Sequence, residues 1–323
     1  MATRRMILGA TLVAPALHMA RAQDTDWPTR PVVLVVPTAA GGSGDTLARL
    51  LAEALRPRLS QPVVVENRTG VGGLLGAEYV AKSPVEANRF LLAAVHHAIF
   101  PAVQARMPYD SLGDFAPVAD ISSAYNALII NPSLPVRSVA ELVAYAKANP
   151  GRLNFATAGR GTLHHVTASL FIRLAGIDAA AVHYRGSAPA MNDLVAGNVQ
   201  AMFETMPSAA GQIRGGQVRA LAVTAPERVG LLPDVPTMGE AGYPDVIADT
   251  WYGIFAVRGT PPSVLERMNA AIATSLATPE MRAAWERNGV TGGGKSVAAF
   301  TRMWEGEVAR WKELTARAGV EPE

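Results

Sequence analysis

Two glycine-rich junctions, each between an apolar strand and a helix, hold the residues of this chain best suited to chemistry. They are Pro37-Thr-Ala-Ala-Gly-Gly-Ser-Gly-Asp45 and Ala156-Thr-Ala-Gly-Arg-Gly-Thr-Leu-His164. Glycine lets the backbone turn tightly and approach a ligand, and the first turn of the following helix leaves its N–H groups unpaired. The helix dipole makes that end favourable for negative charge, so two such loops facing one cleft would pinch a carboxylate between them. Asp45 either caps its helix or accepts from a ligand amine, and Thr162 reads as an N-cap whose hydroxyl also reaches the cleft. Gly186-Ser187, after Val182-His183-Tyr184, offers a third helix start at the same edge.

Other chemistries fit less well. The first junction lacks the lysine that a phosphate-gripping loop needs, and it does not match the dinucleotide pattern, so no nucleotide or other cofactor is expected. Histidines occur as His96-His97 after a strand, His164-His165 on a helix start, and His183 in a strand. Neighbours on a helix point about 100° apart and no carboxylate sits at ligand spacing, so no metal site is expected. His96 or His97, at the carboxyl end of its strand, is better placed as a hydrogen-bond donor to a ligand. No Gly-x-Ser-x-Gly elbow is present, and Ser187 has no base fixed nearby in sequence.

The elements that must position these loops alternate. Strand Val32 to Val36, helix Thr46 to Leu59, strand Val63 to Glu66, helix Leu74 to Lys82 and strand Phe90 to Val95 read as a parallel sheet wrapped by helices. A second run of the same kind begins near Asn126: strand Ala127 to Asn131, helix Val139 to Asn149, strand Asn154 to Thr157 and helix Leu163 to Gly176. Strand Ala180 to Tyr184, helix Ala188 to Gly197 and strands Gln200 to Glu204 and Arg219 to Thr224 continue it. After strand Trp251 to Val257 come helices near Pro262, Pro279 and Ser296, the last with Phe300, Trp304, Val308, Trp311 and Thr315 on one face that reads as core. The fold class expected is α/β, with two doubly wound lobes joined by two crossovers near 122–125 and 247–250. Residues 27–122 with 250–323 make one lobe and 123–249 the other. In such sheets ligands sit beyond the carboxyl ends of the strands, where all three loops would lie.

The amino-terminal end reads as an export signal over residues 1–22. Arg4-Arg5 is followed by the apolar stretch Met6 to Leu17 and the small-x-small pattern Ala20-Arg21-Ala22. The paired arginines leave both the general secretory and the twin-arginine routes open. Its apolar core is too short to cross a bilayer, so a periplasmic protein outside the membrane is expected. Cysteine is absent, which excludes disulfides, thiolate metal sites and a cysteine nucleophile. Removal of residues 1–22 takes away Arg4, Arg5 and Arg21 and no acid. That leaves the 29 basic residues less three against 27 acidic ones, a side-chain balance of −1 that does not suggest a nucleic-acid partner.

Further segments resemble one family over nearly the whole chain: the solute receptors of tripartite tricarboxylate transporters, the Bug family of periplasmic binding proteins. The resemblance rests on Trp27-Pro-Thr-Arg-Pro31, Gly-Gly-x-x-Asp45 with Ala48-Arg49, Gln61 to Arg68 with Gly70-x-Gly-Gly73, and Tyr109-Asp110 with Asp114 to Val118. It extends through Asn131 to Pro135, Gly161-Thr162 with His164, Tyr184 to Pro189, Leu221 to Thr224, Leu232 to Thr237 with Glu240-Ala-Gly242, and Gly259-Thr260-Pro261. It implies a Venus flytrap that closes on a small organic carboxylate and hands it to the membrane permease subunits. It also implies that the anion is held by backbone N–H groups and water, with no catalytic role and no cofactor. A monomer is expected.

Carried onto this chain, the family's ligand contacts fall in the first loop (Thr38, Ala40, Gly41, Gly42, Asp45) and the second (Ala158, Gly159, Gly161, Thr162, with His164). Gly186, Ser187 and Glu204 complete the pocket, beside His96 and His97. Compared with the family, Thr38-Ala39 stands where Phe-Pro is common, His96 where a small hydroxyl residue is frequent, and Glu204 where Asp is frequent. Glu204 would shrink the cavity or favour a ligand carrying a donor, and a protonated His96 would favour a second carboxylate. Two other readings remain at this stage: an enzyme acting on a carboxylate in the same cleft, and a sensor subunit that signals rather than feeds transport.

Overall fold

The structure is a computed structural model that describes residues 27–85 and 88–322; the expected export segment lies outside the described residues. The first lobe begins with β1 (Val32–Val36), α1 (Ser43–Leu59), β2 (Val63–Asn67), α2 (Leu74–Ala81), β3 (Arg89–Ala94) and α3 (His96–Val103). β1 lies between β2 and β3, parallel to both. Its Val-Val-Leu-Val-Val run is buried along most of its length, as a strand covered on both faces must be. The second lobe holds α4 (Val139–Ala148), β5 (Leu153–Thr157), α5 (Leu163–Ala175), β6 (Ala179–His183), α6 (Ser187–Ala196), β7 (Ala201–Thr205), α7 (Met206–Arg214) and β8 (Arg219–Val223). There β5 runs parallel to β6 and β7.

Two strands make the junction, β4 (Phe115–Ile130) and β9 (Asp249–Val257). β4 pairs antiparallel with β9 from Phe115 to Tyr125, then with β7 from Asn126 to Ile130 and with β8 from Ala127 to Ile130. The two lobes therefore share one nine-stranded sheet. Each lobe is parallel at its outer edge, as the strand–helix alternation predicts, and antiparallel where the crossing strands enter. The first half of β4 does not follow the sequence expectation. Pro117, Asp120, Ser122 and Ser123 interrupt apolar alternation, and register shifts at Pro117/Ala119 and Asp120/Ser122 break the period of two.

The chain closes with α8 (Pro262–Leu276), α9 (Pro279–Arg287) and α10 (Val297–Arg317). Phe300, Trp304, Trp311 and Thr315 of α10 are buried, and a Cβ on Gly253 of β9 would lie 2.3 Å from Phe300 Cζ. Glu307 Oε2 accepts from both Trp251 Nε1 and Trp311 Nε1 at 2.9 Å, which fixes α10 against β9. Truncating a side chain buried like Trp304 would cost about 3–5 kcal/mol.

Candidate functional site

The first glycine loop starts α1 three residues earlier than the periodicity predicts. Gly42 is the N-cap in extended conformation, and Ser43, Gly44 and Asp45 form the first turn. Asp45 accepts from Gly41 N–H at 2.9 Å and from Arg49 Nη2 at 2.9 Å. Burial alone would raise its pKa, but Arg49, the Gly41 N–H and Asn67 hold it below the ordinary value. Asp45 thus braces the loop, and it is not among the residues lining the cavity described below. Neither Gly42 nor Thr162 caps its helix through a side chain, and the N–H groups of Ser43, Gly44, Leu163 and His164 have no partner among the described residues.

These groups surround a small cavity of about 50 Å³ at the carboxyl ends of the strands. Residues at the starts of five helices line it: Gly42 to Gly44 of α1, His96 of α3, Thr162 to His164 of α5, Ser187 of α6 and Thr205 before α7. Each helix start contributes partial positive charge, and no lysine or arginine is among the lining residues. Thr38 and Ala158 complete the expected part of the wall; Gly72, Thr250 and Tyr252 belong to it without having been expected. Gly72 was visible only as part of Gly70-x-Gly-Gly73, whereas no local signal brings the residues of β9 to the site.

The lobes meet over this cavity backbone to backbone. A Cβ on Gly159 would lie 3.0 Å from the Gly72 Cα, and one on Gly161 would lie 2.5 Å from Val103 Cγ2. Both glycines have left-handed φ, 135° and 73°. Gly161 N–H donates to His165 Nδ1 at 3.2 Å and Gly159 O accepts the Thr162 hydroxyl at 2.6 Å, so these two glycines shape the closure instead of lining the cavity. Gly186 is the N-cap of α6 and sits against Ala39, while Ala40 and Gly41 are exposed at the rim.

The histidines divide. His96 lines the cavity at the start of α3, two residues beyond a strand that ends at Ala94. Burial, and then the neighbouring His164, push its pKa down to about 4. A pKa lowered this far favours the neutral ring at pH 7, so the condition for a positive charge there, a protonated His96, is met only at lower pH. His97 faces the other way: it is 1 % exposed, stacked on Trp304 with ring centroids 4.9 Å apart, and bonded to Tyr109. The structure places it in the aromatic core and not among the cavity-lining residues, because successive residues of a helix do not share one face. His164 lines the cavity and places Nε2 3.4 Å from Glu204 Oε1. Glu204 is fully buried just beyond the lining, and its Oε1 also accepts the N–H and hydroxyl of Thr205, each at 2.9 Å.

A hydroxyl cluster spans the lobes. Ser43 is hydrogen bonded to Thr205, and the buried Tyr252 phenol, raised in pKa by burial, interacts with both. Donors are thus concentrated on one small space without a nucleophile–base pair. Among the described residues no group of three or more metal-binding side chains occurs.

Residues 47–320 match the family model described as the tripartite tricarboxylate transporter family receptor. Among solved structures, one from R. palustris, described with adipate, is 36 % identical, with a TM-score of 0.89 over 92 % of this chain and 100 % of that one. The periplasmic binding protein BugD is 33 % identical, with a TM-score of 0.89 over 92 % and 100 %. MatC from Rhodopseudomonas palustris, with bound malate, is 31 % identical, with a TM-score of 0.85 over 89 % and 99 %. The match covers both lobes and the crossing strands, and the chain belongs to the tripartite tricarboxylate transporter receptor family, the Bug-type periplasmic solute-binding proteins, which are receptors and not enzymes.

Proposed function

We propose that the mature chain captures a small organic carboxylate in the cavity between its lobes and delivers it to the membrane subunits of a tripartite tricarboxylate-type transporter. Residues 27–122 with 250–323 move as one body and 123–249 as the other, bending where β4 and β9 cross. Closure hides the ligand and creates the surface the permease reads. The protein acts as a monomer in the periplasm, after export directed by residues 1–22.

The observation that carries this reading is the convergence of five helix starts on one cavity without a lysine or arginine in its wall. Such a wall favours an anion through backbone N–H groups. The proteins seen with adipate and with malate are relatives of the same fold, which supports a carboxylate here. Thermal unfolding of the mature protein against mono-, di- and tricarboxylates, amino acids and aromatic carboxylates tests it. A carboxylate at 1,000 times its dissociation constant should add roughly 4 kcal/mol, a rise of several degrees. Shifts only with metals or nucleotides would contradict it.

A further inference from the structure

The cavity wall is also marked by what it lacks on one side. Glu204 Oε1 is fully used by Thr205 and His164, yet Oε2 is buried with no hydrogen-bond partner among the described residues. A carboxylate only accepts, so the His164 Nε2 that faces it carries the proton. His164 Nδ1 is likewise buried without a partner among the described residues. An unpaired carboxylate oxygen of Glu204 and an unpartnered ring nitrogen of His164 therefore stand at one end of a site whose other walls present N–H donors.

A buried carboxylate oxygen left without a donor is costly, and no lysine or arginine is among the residues lining the cavity. Resting on the reading of the cavity as a carboxylate site, we infer that the cargo carries a hydrogen-bond donor, a hydroxyl or ammonium group, close to its carboxylate, and that Glu204 with His164 reads that donor. A plain di- or tricarboxylate would bring further acceptors, and not a donor, to the Glu204 end of the site, and its second charge would approach Glu204. A hydroxy or amino acid matches both halves of the wall: its carboxylate meets the helix starts and its donor meets Glu204 and His164. Glu204 is then a specificity residue that acts beside His164 and is held in place by Thr205.

Matched ligand sets test this by calorimetric titration of the mature protein at neutral pH. Propionate, lactate and alanine form one set, succinate, malate and aspartate a second, and phenylpropionate, phenyllactate and phenylalanine a third. Within a set only one substituent changes, from hydrogen to hydroxyl to ammonium. A site built to bond a donor should favour the hydroxyl or ammonium member over its parent by about tenfold or more. Glu204→Gln places an amide donor where the ligand's donor belongs, so this ratio should collapse toward one; a purely structural Glu204 would weaken all members alike and leave the ratio intact. Equal binding of parent and substituted members sinks the donor inference and leaves the receptor reading standing. Silence from every set, with circular dichroism showing folded protein, contradicts the carboxylate reading itself, and the inference falls with it.

Discussion

The hydroxyl of Ser43, the first residue of α1 in one lobe, is hydrogen bonded to the hydroxyl of Thr205, the residue before α7 in the other. Thr205 donates onward to Glu204 Oε1 at 2.9 Å, so Ser43 is the donor to Thr205. One polar link thus crosses the cleft at the floor of the cavity, and it exists only while the lobes are together. Ser43→Ala removes it without adding bulk. A hydrogen bond of this kind contributes about 1 kcal/mol, so ligand affinity should fall about fivefold while the unfolding midpoint changes little. Calorimetry on the variant checks this, and unchanged affinity would remove the bond from the closure mechanism.

Two glycines separate backbone strain from cleft closure. Gly161 and Gly176 both have left-handed φ, 73° and 59°, but a Cβ on Gly161 meets Val103 across the cleft whereas one on Gly176 meets nothing within 4 Å. Alanine at either position should cost about 1–2 kcal/mol of stability through strain. Only Gly161→Ala should also weaken ligand binding, by about tenfold or more, since it holds the lobes apart. Equal affinities in the two variants would mean that closure at Gly161 plays no part in binding.

Buried histidines set the acid limit of stability. Burial, with His96 nearby, pushes His97 down to about 3; burial, then His183 and Arg160, push His165 down to about 4. The unfolded chain takes up these protons near pH 6.5, whereas the folded protein resists until about pH 4 or below. Stability is therefore full above pH 6.5 and falls as pH drops from there toward 4, by about 1.4 kcal/mol per pH unit for each histidine fully in play. Urea unfolding at pH 7.5, 6 and 5 should show this slope, and His97→Phe should reduce it by about one proton. A flat profile, or a slope untouched by the substitution, would show that His97 is not the group responsible.

His96 sits in the cavity wall as a neutral ring, with its pKa near 4. His96→Ala should lower affinity by about three- to tenfold through lost contact and leave the dependence on pH between 6 and 8 unchanged. A variant that abolished a pH dependence present in the parent would restore the reading of His96 as a cation for a second carboxylate.

Much of this architecture was legible because β1, β5 and the long amphipathic helices carry strong periodic patterns, and the strand–helix alternation follows from them directly. What escaped had weaker local signals. α3 is only eight residues, carries Pro101, and begins with two histidines whose faces diverge into the cavity and the aromatic core. α7 opens with Met206-Pro207 and small residues, so its periodicity is faint. The loops were readable from glycine spacing, but which N–H groups face the ligand was not. Asp45, Gly159 and Gly161 proved to shape the loops, while Ser43, Thr205 and Tyr252 reach the cavity through the meeting of distant segments. Pairings such as Ser43 with Thr205 are 162 residues apart and leave no trace in local pattern.

A carboxylate is expected to sit at the converging helix starts between the two lobes. A crystal structure of the mature protein with the carboxylate giving the largest thermal shift tests it most directly. Carboxylate oxygens should lie within hydrogen-bond distance of first-turn N–H groups of both α1 and α5, with the lobes closed over them. Ligand bound to one lobe only, or outside the cavity lined by Ser43, His164 and Thr205, would contradict it.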